Sequence, residues 1–411
     1  MSILKLSFGI SPTYIGAILA LADAWSSENG LHKGDSARLR MAAEEFSSYL
    51  AAVFAGEEAT VEFGEYGRRV FVEFSFSGNN LDLSALNMVN IHEKGEKEVS
   101  ADTSLMLARL SADNFTLTTD ARGRFALRAY VEKSYTCEAP QPTWGESVRP
   151  FVLSQNGDTL HAALLMAAGR DSSFAKSLYA RSPKALTDDL AACAVKSLWA
   201  EDGAGHPAAF IYWEENGRTA VFCGPYSTND DPAGGAALFV LEKFLSAAAR
   251  SSLSCVISES ELPNVAHPYF EKYGNLYYRA MNEDCGGNVW APASLIPELD
   301  KIYGAFDLIR HVIPSDFTPA AGHSLIDVSF THGGRCAVMH PLMIYSDFSE
   351  LLRAHTERLS ASGCDTVKIL FNLGNRSEGS AAAAATECGY VPEWIRPGEC
   401  IDDTLVMKYA E

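Results

Sequence analysis

Ala208-Ala-Phe-Ile-Tyr-Trp-Glu214, Glu215-Asn216-Gly217, Arg218-Thr-Ala-Val-Phe-Cys-Gly224 and, further on, Gly234-Gly235-Ala236 decide how the middle of this chain folds. Two alternating apolar runs flank an Asn-Gly pair, the strongest short-range signal for a β-hairpin. The glycine pair then opens an apolar stretch over 234–250 that is long enough for a helix. Leu253–Ser258 reads as a strand, 262–273 as a short helix and Asn275–Met281 as another strand. Upstream, Ser147–Leu153 reads as a strand. Asp158–Gly169 has Leu160, Ala163, Leu164 and Ala167 on one helical face, and Pro183–Trp199 reads as a second helix.

Towards the N-terminus, residues 3–11 alternate like a strand. Ser11-Pro12 supplies an N-cap with proline at the first helical position. A helix over 12–28 and a second from Asp35 to Ala55 follow, the latter with Leu39, Ala42, Phe46, Leu50 and Val53 on one face. Ala59–Glu65 and Arg68–Phe76 form a hairpin at Tyr66-Gly67. Residues 77–100 are polar and irregular, Thr103–Leu110 is a short helix, and Phe115–Thr119 with Phe125–Glu132 make a second hairpin. Cys137–Gly145 reads as a linker. Towards the C-terminus, Ser324–Phe330, Arg335–His340, Thr366–Leu373 and Thr404–Lys408 read as strands, with helices at Asp347–Ser362 and Glu378–Cys388. Helices segregated from hairpins give the α+β class.

The chain has 411 residues, ample for two to three domains of roughly 150 residues each. Its 33 basic and 52 acidic residues leave a net charge of −19, of which −5 falls in residues 1–135 and −14 in the rest. Such a surface disfavours nucleic acid and anionic lipid, since both require cationic patches. No apolar run reaches the length of a membrane span. Nine scattered cysteines without a Cys-x-x-Cys pair predict reduced thiols and a cytoplasmic location. His332, Cys336 and His340 have the spacing of a helix face, but Gly333-Gly334 breaks it, so no metal is expected.

Residues 1–136 resemble the histidine-kinase/Hsp90-type (GHKL) ATPase domain in the form seen in bacterial anti-sigma-factor kinases. Arg38–Tyr49, Val70–Leu83 and Thr103–Arg109 carry the likeness. The resemblance implies a base at Glu45, but it places Tyr49 where the family has a magnesium-binding Asn. It places Phe76 where the family has an adenine-binding Asp. Gly78 is kept, Asn80 replaces the second glycine, and Asp102 and Ser104 replace the phosphate-loop glycines. The implied nucleotide pocket is degenerate, and neither ATP nor its hydrolysis is expected.

After a linker at 137–146, residues 147–300 resemble a GNAT N-acetyltransferase, and 301–411 resemble a shorter GNAT-like C-terminal piece. The family holds acyl-CoA where a glycine-rich turn opens its long helix, here Asp231-Pro-Ala-Gly234-Gly235-Ala236. The likeness implies acetyl-CoA as cofactor, bound at Gly234, Gly235 and Ala236. It implies a phenolic acid four residues before Gly274, where Phe270 stands, so the neighbouring Tyr269 and Tyr273 are the candidates. His267 is placed for proton transfer, and Glu259 or Glu261 for accepting a proton from an amine. Tyr277, Tyr278 and Trp290 read as core aromatics.

Two functions follow as expectations. The first is a regulatory, bacterial protein whose ATPase-like domain binds a protein partner and whose GNAT-like region binds acyl-CoA. The second is an active N-acyltransferase acting on a small amine or a protein acceptor. An ATP-dependent anti-sigma-type serine kinase is disfavoured by Tyr49 and Phe76.

Overall fold

The computed structural model describes residues 3–410 apart from 79–80, 92–95, 121, 173, 231–233, 285, 317, 332–334 and 400–401. The chain divides into two units: residues 1–134 with 318–369, and residues 135–317 with 370–411.

Unit 1 begins with β1 (Leu4–Gly9), α1 (Ile15–Glu28) and α2 (Lys33–Val53). The Ser11 hydroxyl accepts from the Thr13 N–H at the start of a short 3-10 turn, Pro12–Tyr14, that leads into α1. β2 (Glu58–Tyr66) and β3 (Arg69–Phe76) follow, then α3 (Glu96–Ser111), β4 (Asn114–Thr119) and β5 (Phe125–Glu132). The helix expected over Thr103–Leu110 starts earlier, at Glu96, because Glu-Lys-Glu is itself a good helix former. The five strands form an antiparallel sheet in the order β1-β2-β3-β5-β4. Its inner face buries Val61, Phe63, Val70, Val72, Phe74 and Phe76 in one core with Leu39, Phe46, Tyr49 and Leu50 of α2. The outer face is polar, with Ser7, Thr60 and Ser75 in one cross-strand row.

Unit 2 opens with β6 (Trp144–Glu146), inside the stretch read as a linker, and β7 (Val152–Ser154). The strand expected over Ser147–Leu153 is confined to this last part, since Pro150 cannot donate to a ladder. α4 (Gly157–Arg170), α5 (Leu178–Arg181) and α6 (Pro183–Ala191) come next. The helix expected to reach Trp199 stops at Ala191: Cys193 turns to a φ of 56° and β8 (Lys196–Glu201) begins. The hairpin signal is realised as β9 (Pro207–Asn216) and β10 (Thr219–Ser227). β11 (Asn229–Asp230), α7 (Gly235–Ala248) and β12 (Cys255–Ser258) follow.

The helix expected over 262–273 is absent. Only His267–Tyr269 makes a 3-10 turn, and Glu271–Tyr273 is a strand, β13, paired with β14 (Leu276–Ala280). Pro268 removes a helix donor, and Gly274, at φ +58°, reverses the chain into a hairpin. The sheet order is β13-β14-β12-β10-β9-β8-β7. One face packs Ile211, Trp213, Ala220, Phe222, Val256 and Tyr277 against α7. The other packs Phe210, Tyr212 and Tyr226 against α4–α6. β15 (Gly287–Ala291), α8 (Ile296–Ala305) and β16 (Arg310–Pro314) complete this stretch, with β15 and β16 parallel.

The chain then returns to unit 1 with β17 (Leu325–Thr331), β18 (Cys336–Met343) and α9 (Phe348–Ala361). β19 (Thr366–Asn372) carries it across the division into unit 2, where α10 (Arg376–Glu387) and the antiparallel pair β20 (Tyr390–Glu399) and β21 (Asp402–Tyr409) end it. Among the described residues no helix is long and apolar enough to cross a membrane.

Candidate functional site

β10 and β12 run parallel and pair over only three positions, Thr219↔Cys255, Ala220↔Val256 and Val221↔Ile257. β10 continues to Ser227 with an irregular register between Cys223 and Tyr226, whereas β12 stops at Ser258. The two strands therefore part company at their C-terminal ends. α7 connects them, and its N-terminus lies at Gly234-Gly235.

Gly234 is required by its surroundings, and Gly235 lets an arginine come close. Gly234 caps the helix at φ +63°, and a Cβ there would stand 2.4 Å from the Val265 side chain. A Cβ on Gly235 would stand 2.4 Å from Nη2 of Arg149. Arg149 is exposed, and its guanidinium carbon lies 5.7 Å from the centre of the Phe151 ring. An arginine is thus brought to the positive end of a helix. Ala236 is fully buried. Asp231 and Pro232 of the resembling motif lie outside the described residues.

At the exit of β12 a polar cluster gathers. The Tyr277 ring is buried, 2 % exposed, and stacks on His267 with ring centres 5.4 Å apart. Its hydroxyl donates to Glu261 and accepts from Lys272 Nζ at 2.7 Å. Lys272 also donates to both Glu261 oxygens at 3.3 Å. His267 Nε2 lies 2.9 Å from the Leu262 carbonyl, which accepts only, so that nitrogen carries a proton. The same nitrogen is 3.3 Å from the Tyr277 oxygen and 3.6 Å from Glu261. Hydrogen bonds from Tyr277 and then Lys272 hold the Glu261 carboxyl below its usual range. The hydrogen bond with Tyr277 raises the Lys272 ammonium above its own.

The other candidates sit apart from this cluster. Glu259 accepts from Arg396 Nε at 2.5 Å. Tyr269 donates to Glu242 at 3.0 Å, and that bond pushes its phenol upward, away from an easy proton donor. Tyr273 lies 3.5 Å from Glu298. Cys223 lies at the parting of the strands beside Tyr212 and Ser260, and burial pushes its thiol up to about 11. Sequence reasoning missed Arg149, Lys272 and Tyr277. The last was assigned to the core, correctly for its ring but not for its hydroxyl.

In unit 1 the positions assigned to a degenerate nucleotide pocket are filled. Phe76 is 0 % exposed, in a tilted ring contact with Phe54 at 5.4 Å. Gly78 lies so close to Phe54 that a Cβ would stand 2.2 Å from the ring. The Tyr49 hydroxyl donates to the Asp82 carbonyl at 2.6 Å, and burial, then the charges of Asp82 and Asp102, push its phenol far up. Glu45 is half-buried on α2. Asn80, His332, Gly333 and Gly334 lie outside the described residues. Among the described residues no group of three or more His, Cys, Asp or Glu side chains could hold a metal ion.

No family model and no curated protein sequence matches the chain. Part of it is similar to a GNAT family acetyltransferase from Brucella melitensis in complex with acetyl-CoA, at 17 % identity and a TM-score of 0.24, over 33 % of this chain and 89 % of that one. It is also similar to the GNAT family N-acetyltransferase YhbS from Escherichia coli in complex with CoA, at 12 % identity and a TM-score of 0.22, over 35 % of this chain and 86 % of that one.

Proposed function

We propose that unit 2 binds an acyl-CoA and transfers its acyl group to an amine. The observation that carries this reading is the parting of β10 and β12 beside the Gly234-Gly235 turn, with Arg149 at the same helix end. A guanidinium and a helix N-terminus repel one another, and an anion between them relieves both. A pyrophosphate has the charge to do so. The strands' open ends leave backbone groups outside the ladder, available to an extended amide-bearing arm.

In this reading an amine nitrogen attacks the thioester carbonyl, the C–N bond forms, the C–S bond breaks, and the departing thiolate takes its proton from the Tyr277 hydroxyl and leaves as free thiol. Glu261 accepts the ammonium proton, because its hydrogen bonds keep it ionised. Glu261 returns that proton to the Tyr277 hydroxyl, its hydrogen-bond partner, while Lys272 and His267, both protonated on the nitrogens that face Tyr277, hold the pair in place. Tyr269, raised by Glu242, and Glu259, paired with Arg396, are the weaker candidates. A small amine and a protein amine are both acceptable as acceptors.

The filled interior of unit 1 favours a companion reading, a protein-binding module without ATP turnover. Both readings are tested by thermal unfolding with millimolar acetyl-CoA and, separately, ATP with magnesium. A ligand at 100 times its dissociation constant adds about 2.7 kcal/mol, several degrees for a unit of this size. A shift with acetyl-CoA alone, followed by thiol release in the presence of an amine panel, is the expected result. No shift and no thiol overturn the acyl-transfer reading, and a shift with ATP overturns the companion one.

A further inference from the structure

The start of β10 and the two ends of the four-residue β12 lie against one short stretch of β20. At the entry, the Arg218 N–H donates to the Gly398 carbonyl at 3.0 Å, and the Thr219 hydroxyl donates to the Pro397 carbonyl. The Cys255 thiol lies 3.8 Å from that same carbonyl. At the exit, Arg396 binds Glu259 at 2.5 Å and Glu399 at 3.0 Å. The Arg396 side chain is only 19 % exposed and that of Glu399 11 %. Behind them, Asp403 of β21 accepts from the Gly398 N–H at 2.8 Å and binds Arg310 at 2.6 Å.

A ladder of three residue pairs cannot by itself fix how far two parallel strands diverge beyond it. On its other side β12 is held by its four-pair ladder with β14, and what ties it to β10 beyond the three shared pairs is residues 396–398, which bind the start of β10 and the residue after β12. Arg396 is the polar anchor at the exit, where the chain goes on through Ser260 to Glu261. Removing one member of a mostly buried charge pair leaves the other without compensation and loosens the backbone that carries it.

The geometry points to a latch: residues 396–398 fix the opening between β10 and β12, and Arg396 is a positioning residue for the Glu259–Glu261 segment. The latch stands on the free protein's contacts. Its effect on ligand rests on the acyl-CoA reading above.

The test uses the full chain and two readouts: amide hydrogen exchange across 255–262, and acetyl-CoA affinity by calorimetry. In Glu259→Gln and Arg396→Met, exchange over 256–261 is expected to rise about tenfold, with α4 amides unchanged. The acetyl-CoA dissociation constant is expected to rise about fivefold, with Arg396→Lys restoring most of both effects. A bulk loss of stability would raise exchange in α4 as well and would not be rescued by lysine. Unchanged exchange in a folded Glu259→Gln overturns the latch, and this variant decides alone if Arg396→Met does not fold. Faster exchange in a protein whose wild type ignores acetyl-CoA supports the latch and overturns the acyl-CoA reading.

Discussion

In unit 1, α2 and β3 meet through aromatic rings: Phe46 packs on Phe74, and Phe54 packs between Tyr49 and Phe76. In unit 2, α7 meets its sheet through a comparable apolar layer, but beside that layer two strands separate and three titratable side chains converge on one phenol. In the first sheet the positions read from the sequence as a ligand pocket are taken up by packed side chains. The second has polar groups gathered at its edge. A fold survives either outcome, so architecture alone assigns no chemistry.

The sharpest way to break this contrast is Phe76→Asp, which puts back the residue type of the ATPase family. At a fully buried position the unpaired carboxylate should cost about 4 kcal/mol, read as a lower denaturant midpoint. A folded variant that gained ATP affinity would show the pocket to be merely plugged.

A second effect of nearly that size comes from His355 on α9. It is fully buried, its Nδ1–H donates to the Leu351 carbonyl at 3.0 Å, and burial pushes its pKa from 6.5 down to about 4. The unfolded chain takes up that proton first as pH falls. Stability from this group is therefore complete above pH 6.5 and is lost on descending towards pH 4, by about 3 kcal/mol in total. Asp327 has the opposite sign, since burial raises its carboxyl and acid relieves that penalty. His355→Leu should flatten the fall in unfolding midpoint between pH 6.5 and 4, and a slope that persists would assign the loss elsewhere.

On the other side of the contrast, Tyr277→Phe should lower thiol release from acetyl-CoA roughly 100-fold, while Tyr269→Phe leaves it nearly unchanged. The reverse ranking would return the acid to Tyr269. The smallest effect is expected from Arg149→Ala: an acetyl-CoA dissociation constant about tenfold higher, with the unfolding midpoint unmoved.

The parts of unit 2 legible in the residues were those with local signals. Asn216-Gly217 between alternating runs gave its hairpin, and Gly234 gave the start of α7. The stretch 262–273 failed because its apolar spacing looked helical, while Pro268 and the Gly274 turn, both local, favour a hairpin once β14 is there to pair. β20 went unseen because Pro392 and Pro397 demote a strand on sequence grounds, and its irregular register absorbs them. The site was legible only in part for a related reason. Glu261 and His267 are close in sequence and were both read as candidates. Tyr277 and Arg149 join the site through strand pairing and chain crossing, which no spacing rule reports.

The chain visits unit 1, leaves it after residue 134, and comes back only at residue 318. On a ribosome this imposes an order of events. The α2–β3 layer emerges early, yet Leu325, which belongs to its core, is made some 191 residues after the chain leaves unit 1, the difference between 325 and 134. At 5–20 residues per second that is a wait of roughly 10–40 s. During that interval the finished five-stranded sheet must stay soluble without the last members of its core.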